Sequence, residues 1–145
     1  MNDQCIFCKI VHDQAPANKV YEDDHTLAFM DIAPVTDGHT LVITKEHFAT
    51  LFEATTDALR AVAATAKRVA HGLEKVVKPD GLMVFQLNGT AAGQTVFHYH
   101  LHLMPRGHGE PLALHARKPG DPARLAALAR ALGAAVSASV SDVSR

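Results

Sequence analysis

His98, His100 and His102 stand at every second position in the stretch Gln94-Thr95-Val96-Phe97-His98-Tyr99-His100-Leu101-His102-Leu103-Met104. Side chains of a β-strand alternate between faces and rise by about 3.3 Å per residue, so imidazoles at i, i+2 and i+4 would line one surface. Phe97, Tyr99, Leu101 and Leu103 would then form an apolar row turned toward a core. A strand face packs better with β-branched or aromatic residues than with a row of imidazoles that each need a hydrogen-bond partner. The pattern therefore reads as a histidine row facing a cleft. Neutral imidazole is a nucleophile and a general base, and its usual pKa near 6.5 leaves much of it neutral at physiological pH. Three such rings on one strand could instead chelate a catalytic metal with an open position.

The second chemical unit is Cys5-Ile6-Phe7-Cys8, which holds both cysteines of the chain. The spacing is too short to staple distant parts of a fold, so it favours a reducing compartment and metal or redox chemistry over a structural disulfide. Two thiolates supply half of a closed zinc site, and redox motifs share the spacing; no βαβ pattern surrounds the pair to suggest a thioredoxin-like role. Structural zinc, free thiols and redox use all remain open at this point.

The elements that must position these residues are legible in outline. Lys19 to Glu22 and His25 to Asp31 read as strands joined by the turn-prone Asp23-Asp24, and His39 to Thr44 as a third strand after the Pro34–Gly38 loop. From Thr56 to Val77 the period changes. Leu59, Val62, Ala63, Ala66, Val69, Ala70, Leu73, Val76 and Val77 carry the three-and-four spacing of an amphipathic helix, closed by Pro79-Asp80-Gly81. Gly81 to Leu87 is a fourth strand, Asn88 to Gly93 a loop, and Thr95 to Met104 the histidine strand, antiparallel to the fourth. Asp121-Pro122 opens a C-terminal helix over about 122–136, with residues 137–145 frayed. This order predicts a single α+β domain spanning 1–145, with its core over about 5–115 and a five-stranded, mainly antiparallel sheet.

A chain of 145 residues with 48% hydrophobic and 20% charged residues is ordinary for one soluble domain, and a net charge of −1 leaves no footprint for nucleic acid or an anionic membrane. The N-terminus has no basic leader or apolar region, and no run approaches the length of a membrane span, so a cytoplasmic location is expected.

The His-Tyr-His-Leu-His-Leu-Met strand resembles the signature of the histidine triad family of nucleotide hydrolases and transferases. The resemblance extends through Ala92-Gly93-Gln94-Thr95-Val96-Phe97, Phe29-Met30-Asp31-Ile32-Ala33-Pro34 and Gly38-His39-Thr40-Leu41-Val42-Ile43, covering roughly residues 5–108. It is strongest to the Hint-type branch, in particular to bacterial members with an N-terminal Cys-x-x-Cys. The resemblance implies that His100 is a nucleophile toward the α-phosphorus of a purine nucleotide, forming a nucleotidyl-histidine that water cleaves. It implies that His98, His102 and His39 complete the catalytic cluster, although His39 also reads as a polar residue at a strand start. It places Gln94, Thr95 and Asn88 on phosphate, Asp31 on the ribose hydroxyls, and Phe29 and Ile32 against the base. On residues alone, Asp31 equally suits a turn acid after a strand. Leu87 departs from the family pattern, which often carries a polar residue there. The resemblance further implies a structural zinc on Cys5, Cys8, His47 and His98, no organic cofactor, and a homodimer. Phosphoramidate cleavage is the expected activity; dinucleoside polyphosphate hydrolysis and a nucleotide-binding regulatory module are the alternatives. His12, His25, His71, His108 and His115 read as surface residues.

Overall fold

The computed structural model describes residues 2–116 and 118–143, with side chains described through Ala138 of the last helix. The strands are β1 (Lys19–Glu22), β2 (Thr26–Met30), β3 (Thr40–Thr44), β4 (Gly81–Phe85) and β5 (His100–Arg106). They form one sheet of order β1-β2-β3-β5-β4, with every neighbouring pair antiparallel. The helices are α1 (Ile6–Val11), α2 (Thr56–Val76) and α3 (Pro122–Val143), with a 3₁₀ turn at Thr90–Ala92. The α+β class and the five antiparallel strands are as the sequence predicts.

Both faces of the central strands are covered, which is why β2 and β3 are buried along their whole length. Alternation divides them between two clusters. Ala28, Met30, Val42 and Leu103 turn toward α2 and α3, where Val62, Val69, Leu73, Leu128, Leu132 and Val136 meet them. Leu27, Phe29, Leu41 and Ile43 turn the other way, onto Phe7, Cys8 and Ile10 of α1. The periodicity of α2 holds with one exchange: Ala63 is exposed, and Thr65 is buried in its stead, its hydroxyl 2.6 Å from that of Thr26. Thr55 caps the helix by accepting from the Ala58 N–H, 3.1 Å away. Close approach of α2 and α3 depends on Gly72, where a Cβ would lie 2.9 Å from Val136 Cγ2.

Three expectations need correction. The histidine strand begins at His100, not at Thr95, because residues 96–98 bend and the Tyr99 N–H donates to the Phe48 carbonyl (2.6 Å) instead of joining the ladder. His98 therefore lies outside the strand, and Phe97 is exposed rather than part of the apolar row. Strand β4 stops at Phe85, short of Leu87. The last helix does not end near 136. It continues to Val143, since Ala134 to Ala138 contains no glycine or proline to stop it, and residues 137–143 are helical rather than frayed; 144 and 145 lie outside the described residues. Helix α1 carries no amphipathic signature long enough to read from sequence; it is capped by Cys5, whose Sγ accepts from the Cys8 N–H at 3.4 Å. Among the described residues no helix is long and apolar enough to cross a membrane.

Candidate functional site

The α1 face of the sheet holds two adjoining centres, and backbone groups decide the protonation pattern of each. His100 is 7% exposed and His102 4%. His100 Nδ1 lies 2.6 Å from the carbonyl oxygen of His98, which only an Nδ1–H can satisfy. The lone pair of the neutral ring is thereby left on Nε2. The Val35 N–H donates to His39 Nδ1 at 3.2 Å, so His39 carries its proton on Nε2 and donates it to His102 Nδ1, 2.9 Å away. His102 in turn keeps an Nε2–H. The relay thus fixes an acceptor nitrogen on His100 and a donor nitrogen on His102 side by side, their rings 5.0 Å apart. Phe85, opposite His102 in the β4–β5 register, stacks on it at 4.3 Å and 6°, and Phe7 of α1 meets His100 edge-on at 5.1 Å.

Burial keeps these rings uncharged. It pushes His102 down to about 3, with His100 and His39 adding to the effect. Burial also lowers His100, against the pull of the His98 carbonyl, and lowers His39, against the neighbouring Asp31 carboxylate. Asp31 Oδ2 is 3.6 Å from His39 Nε2, while its Oδ1 accepts from the Ala33 N–H at 2.9 Å.

His100, His102, Asp31, Phe29, Ile32 and Thr95 all line one cavity of about 550 Å³, a size that accommodates a nucleotide-sized ligand. Apart from His115, its remaining wall is apolar and includes Ile6, Phe7, Ile10 and Leu41. Phe29 is buried and Ile32 is exposed at 65%, so the two offer a fixed wall and an open lip. Asn88 and Gln94 do not line this cavity. The Asn88 Oδ1 accepts from the Leu51 N–H (2.7 Å) and from Gln86 Nε2 (2.8 Å), and its amide donates to Gln86 Oε1. Gln94 accepts from the Gly89 N–H (2.7 Å) and donates to the Ala49 and Val96 carbonyls, a clasp that closes the loop before the histidines.

His98 belongs to the second centre. Its Nε2–H donates to the Thr44 carbonyl at 2.6 Å, which turns an unprotonated Nδ1 toward Cys5 Sγ (3.4 Å), Cys8 Sγ (3.6 Å) and His47 Nδ1 (3.2 Å). Cys8 Sγ lies 3.2 Å from His47 Nδ1. A tetrahedral zinc with bonds of about 2.3 Å to sulfur and 2.0–2.1 Å to nitrogen requires nitrogen atoms about 3.3–3.4 Å apart, sulfur and nitrogen about 3.5–3.6 Å apart and the two sulfurs about 3.8 Å apart. These separations fit, and the Thr44 carbonyl is the outer partner that a ligating imidazole needs. Burial raises the Cys5 thiol, the charge problem that a bound cation would reverse. The triad rings do not converge on one metal, since His98 faces the cysteines while His100 and His102 face the cavity.

Sequence reasoning missed Phe7, Phe85 and His115. The pairing of Phe85 with His102 was readable from a hairpin register; Phe7 depended on recognising α1. His115, which also lines the cavity and sits 6.4 Å from the His102 ring, carries no sequence signal at all.

A family model described as HIT domain matches residues 12–109. The "Protein hit" of Bacillus subtilis is 43% identical over 126 residues, 82% of this chain and 87% of that protein. The adenylylsulfatase HINT3 of Arabidopsis thaliana is 36% identical over 106 residues, 73% of this chain and 54% of that longer protein. Among solved structures, a zinc-bound histidine triad family protein from Mycobacterium smegmatis superposes with a TM-score of 0.84 at 39% identity, covering 95% of this chain and 96% of that one. With its histidine triad, its sheet order and a matched span that takes in all of β1 to β5, the chain belongs to the HIT domain family.

Proposed function

We propose that the protein is a nucleotide hydrolase or transferase, most like a purine nucleoside phosphoramidase, that cleaves at the α-phosphorus through a nucleotidyl-His100 intermediate. The observation that carries this reading is the His98 carbonyl on His100 Nδ1, which leaves Nε2 as the free nucleophile of a ring lining the cavity. In the first step the N–P bond forms as the bond to the leaving group breaks, its electron pair departing with that group. An amine takes up a proton from solvent as it leaves. Water then attacks the same phosphorus and releases a proton to solvent; its oxygen stays on the nucleotide, and the electron pair of the broken N–P bond returns to Nε2. The His102 Nε2–H and the Thr95 hydroxyl supply donors to the phosphoryl oxygens, where negative charge accumulates. Asp31 accepts the ribose hydroxyls, and Phe29 and Ile32 hold a purine. The named activity of HINT3, an adenylylsulfatase, supports displacement at a nucleotide α-phosphorus.

Zinc on Cys5, Cys8, His47 and His98 would be structural. Four protein ligands leave no open position, so the ion would tie α1 and the His98 bend to the sheet and take no part in the displacement. A reduced thiol pair suits the cytoplasm. We further read the protein as a homodimer: β4 is an edge strand that exposes Leu82 and Val84, an edge a second copy would cover.

The test is steady-state hydrolysis of adenosine 5′-phosphoramidate by the wild-type protein and by His100→Asn, each with and without a chelator. Turnover that disappears in the variant, survives brief chelation and leaves nucleotide binding intact supports the reading. Equal turnover by both proteins refutes a nucleophilic His100.

A further inference from the structure

On the proposed function the cavity must take an anion, yet it contains no lysine or arginine among its described lining residues; its one formal charge is Asp31. Contacts to negative charge must therefore come from imidazole, hydroxyl and backbone N–H groups. Beyond the triad, one more imidazole reaches it. His115 comes from the connection between β5 and α3, which is pinned at both ends. Near its start, Arg106 Nη2 donates to the carbonyls of Glu110 (3.0 Å) and Pro111 (2.7 Å). At its far end, the Gly120 N–H donates to the Ile32 carbonyl (2.7 Å), and Gly120 packs so closely that a Cβ would sit 2.7 Å from Pro34 Cδ. This path carries the segment past the mouth of the cavity. Between the two anchors, His115 Nε2–H donates to the Gly93 carbonyl at 2.8 Å.

That contact sets the ring beside the triad on the Gly93 side. Leu87, the other side chain abutting Gly93, offers only a methyl group there, 3.4 Å from where a Gly93 Cβ would be, against 3.6 Å for His115 Nε2. The 6.4 Å between the His115 and His102 ring centres is too long for a direct hydrogen bond. Two N–H···O bonds of about 2.9 Å meeting on a single oxygen span a gap of that order. His115 is exposed, so a ligand can reach it and water can take over the Gly93 carbonyl once the ring turns away.

We propose that His115 is a substrate-contacting, specificity-determining residue that hydrogen-bonds the leaving group of the α-phosphorus displacement when that group is an anion. The inference rests on the hydrolase reading above. A leaving sulfate or phosphate departs with the bonding electron pair and needs a donor for the charge it gains. A leaving amine takes up a proton and needs that donor less. The Nε2–H that the free protein lends to Gly93 is the group the departing anion takes over.

The experiment compares adenosine 5′-phosphosulfate with adenosine 5′-phosphoramidate as substrates for the wild-type protein, His115→Ala and His115→Gln. Because a hydrogen bond to a charged group is at stake, the ratio of kcat/KM values, phosphosulfate over phosphoramidate, should fall about tenfold or more in His115→Ala. His115→Gln keeps an N–H donor and should recover part of the ratio. A ratio unchanged in His115→Ala overturns the inference, as does a wild-type protein that cleaves the phosphoramidate but not the phosphosulfate. A wild-type protein that cleaves neither refutes the hydrolase reading itself. Thermal melting of the three proteins checks that the exposed substitutions leave the fold intact.

Discussion

Acid should weaken this fold through its buried imidazoles, and His102 sets the scale. In the unfolded chain a histidine takes up its proton near pH 6.5; in the folded chain burial holds His102 down to about 3. Between those values the unfolded state carries a proton that the folded state refuses. Stability is therefore flat above about pH 6.5 and falls as pH drops toward 3, by about 1.4 kcal/mol per pH unit for one such group. From pH 6.5 to 4 His102 alone contributes a loss of about 3 kcal/mol. Against a typical total of about 5–15 kcal/mol, that is a large share. His39 and His100, lowered by the same burial, act in the same direction. The assay is urea denaturation followed by circular dichroism between pH 7.5 and 4, for the wild-type protein and for His102→Gln, which keeps polar atoms but cannot titrate there. At pH 7.5 the variant should be the less stable, having lost the bond from His39 and the stack on Phe85. By pH 4 its deficit should shrink by about 3 kcal/mol. Stability curves that run parallel over the whole range would refute a buried, neutral His102.

Other substitutions separate the two centres. If Cys5, Cys8, His47 and His98 hold zinc as proposed, Cys8→Ala should lose the ion in metal analysis and lower the melting temperature by several degrees, because an ion bound by the folded state alone stabilises it by mass action, while kcat on adenosine 5′-phosphoramidate stays within about threefold. Asp31→Asn keeps the acceptor for the Ala33 N–H. It should raise KM about tenfold or more for a ribonucleotide, with little further loss on a 2′,3′-dideoxy substrate if the ribose hydroxyls are what Asp31 holds. Gly72→Ala gains about 1 kcal/mol of helix propensity, but its Cβ would stand 2.9 Å from Val136 Cγ2. Overpacking of about 1–3 kcal/mol should outweigh the gain, and a midpoint shift in urea measures the net sign.

The sequence was most informative where a side chain's role follows from its own alternation. Leu41, Val42, Ile43 and Thr44 announced a strand, Val62 to Leu73 announced the face of α2, and His100 and His102 announced a shared surface. It was least informative where backbone atoms of distant segments decide. Nothing in Gln94 to His98 reveals that the Tyr99 N–H is captured by Phe48, the contact that takes His98 off the strand. By resemblance, His39, His98, His100 and His102 make one catalytic cluster, with His98 also a zinc ligand beside Cys5, Cys8 and His47. The fold makes them unlike by presenting a different backbone partner to each: the Val35 N–H to His39, the Thr44 carbonyl to His98, and the His98 carbonyl to His100. These contacts leave a free Nδ1 at His98, a free Nε2 at His100 and an Nε2–H donor at His102, and they cannot be read from spacing because each depends on where another strand or bend ends. The bend at 96–98 serves both centres. It turns His98 toward the cysteines through its side chain while its carbonyl holds His100 through the backbone, so one residue links the Cys5–Cys8–His47 cluster to the tautomer of His100. Loss of the zinc ligands should therefore loosen His98 first, and any effect on turnover should follow from His100 losing its Nδ1 partner rather than from a missing charge. A variant that unligates the metal but leaves the His98 to Thr44 bond intact should keep its kcat.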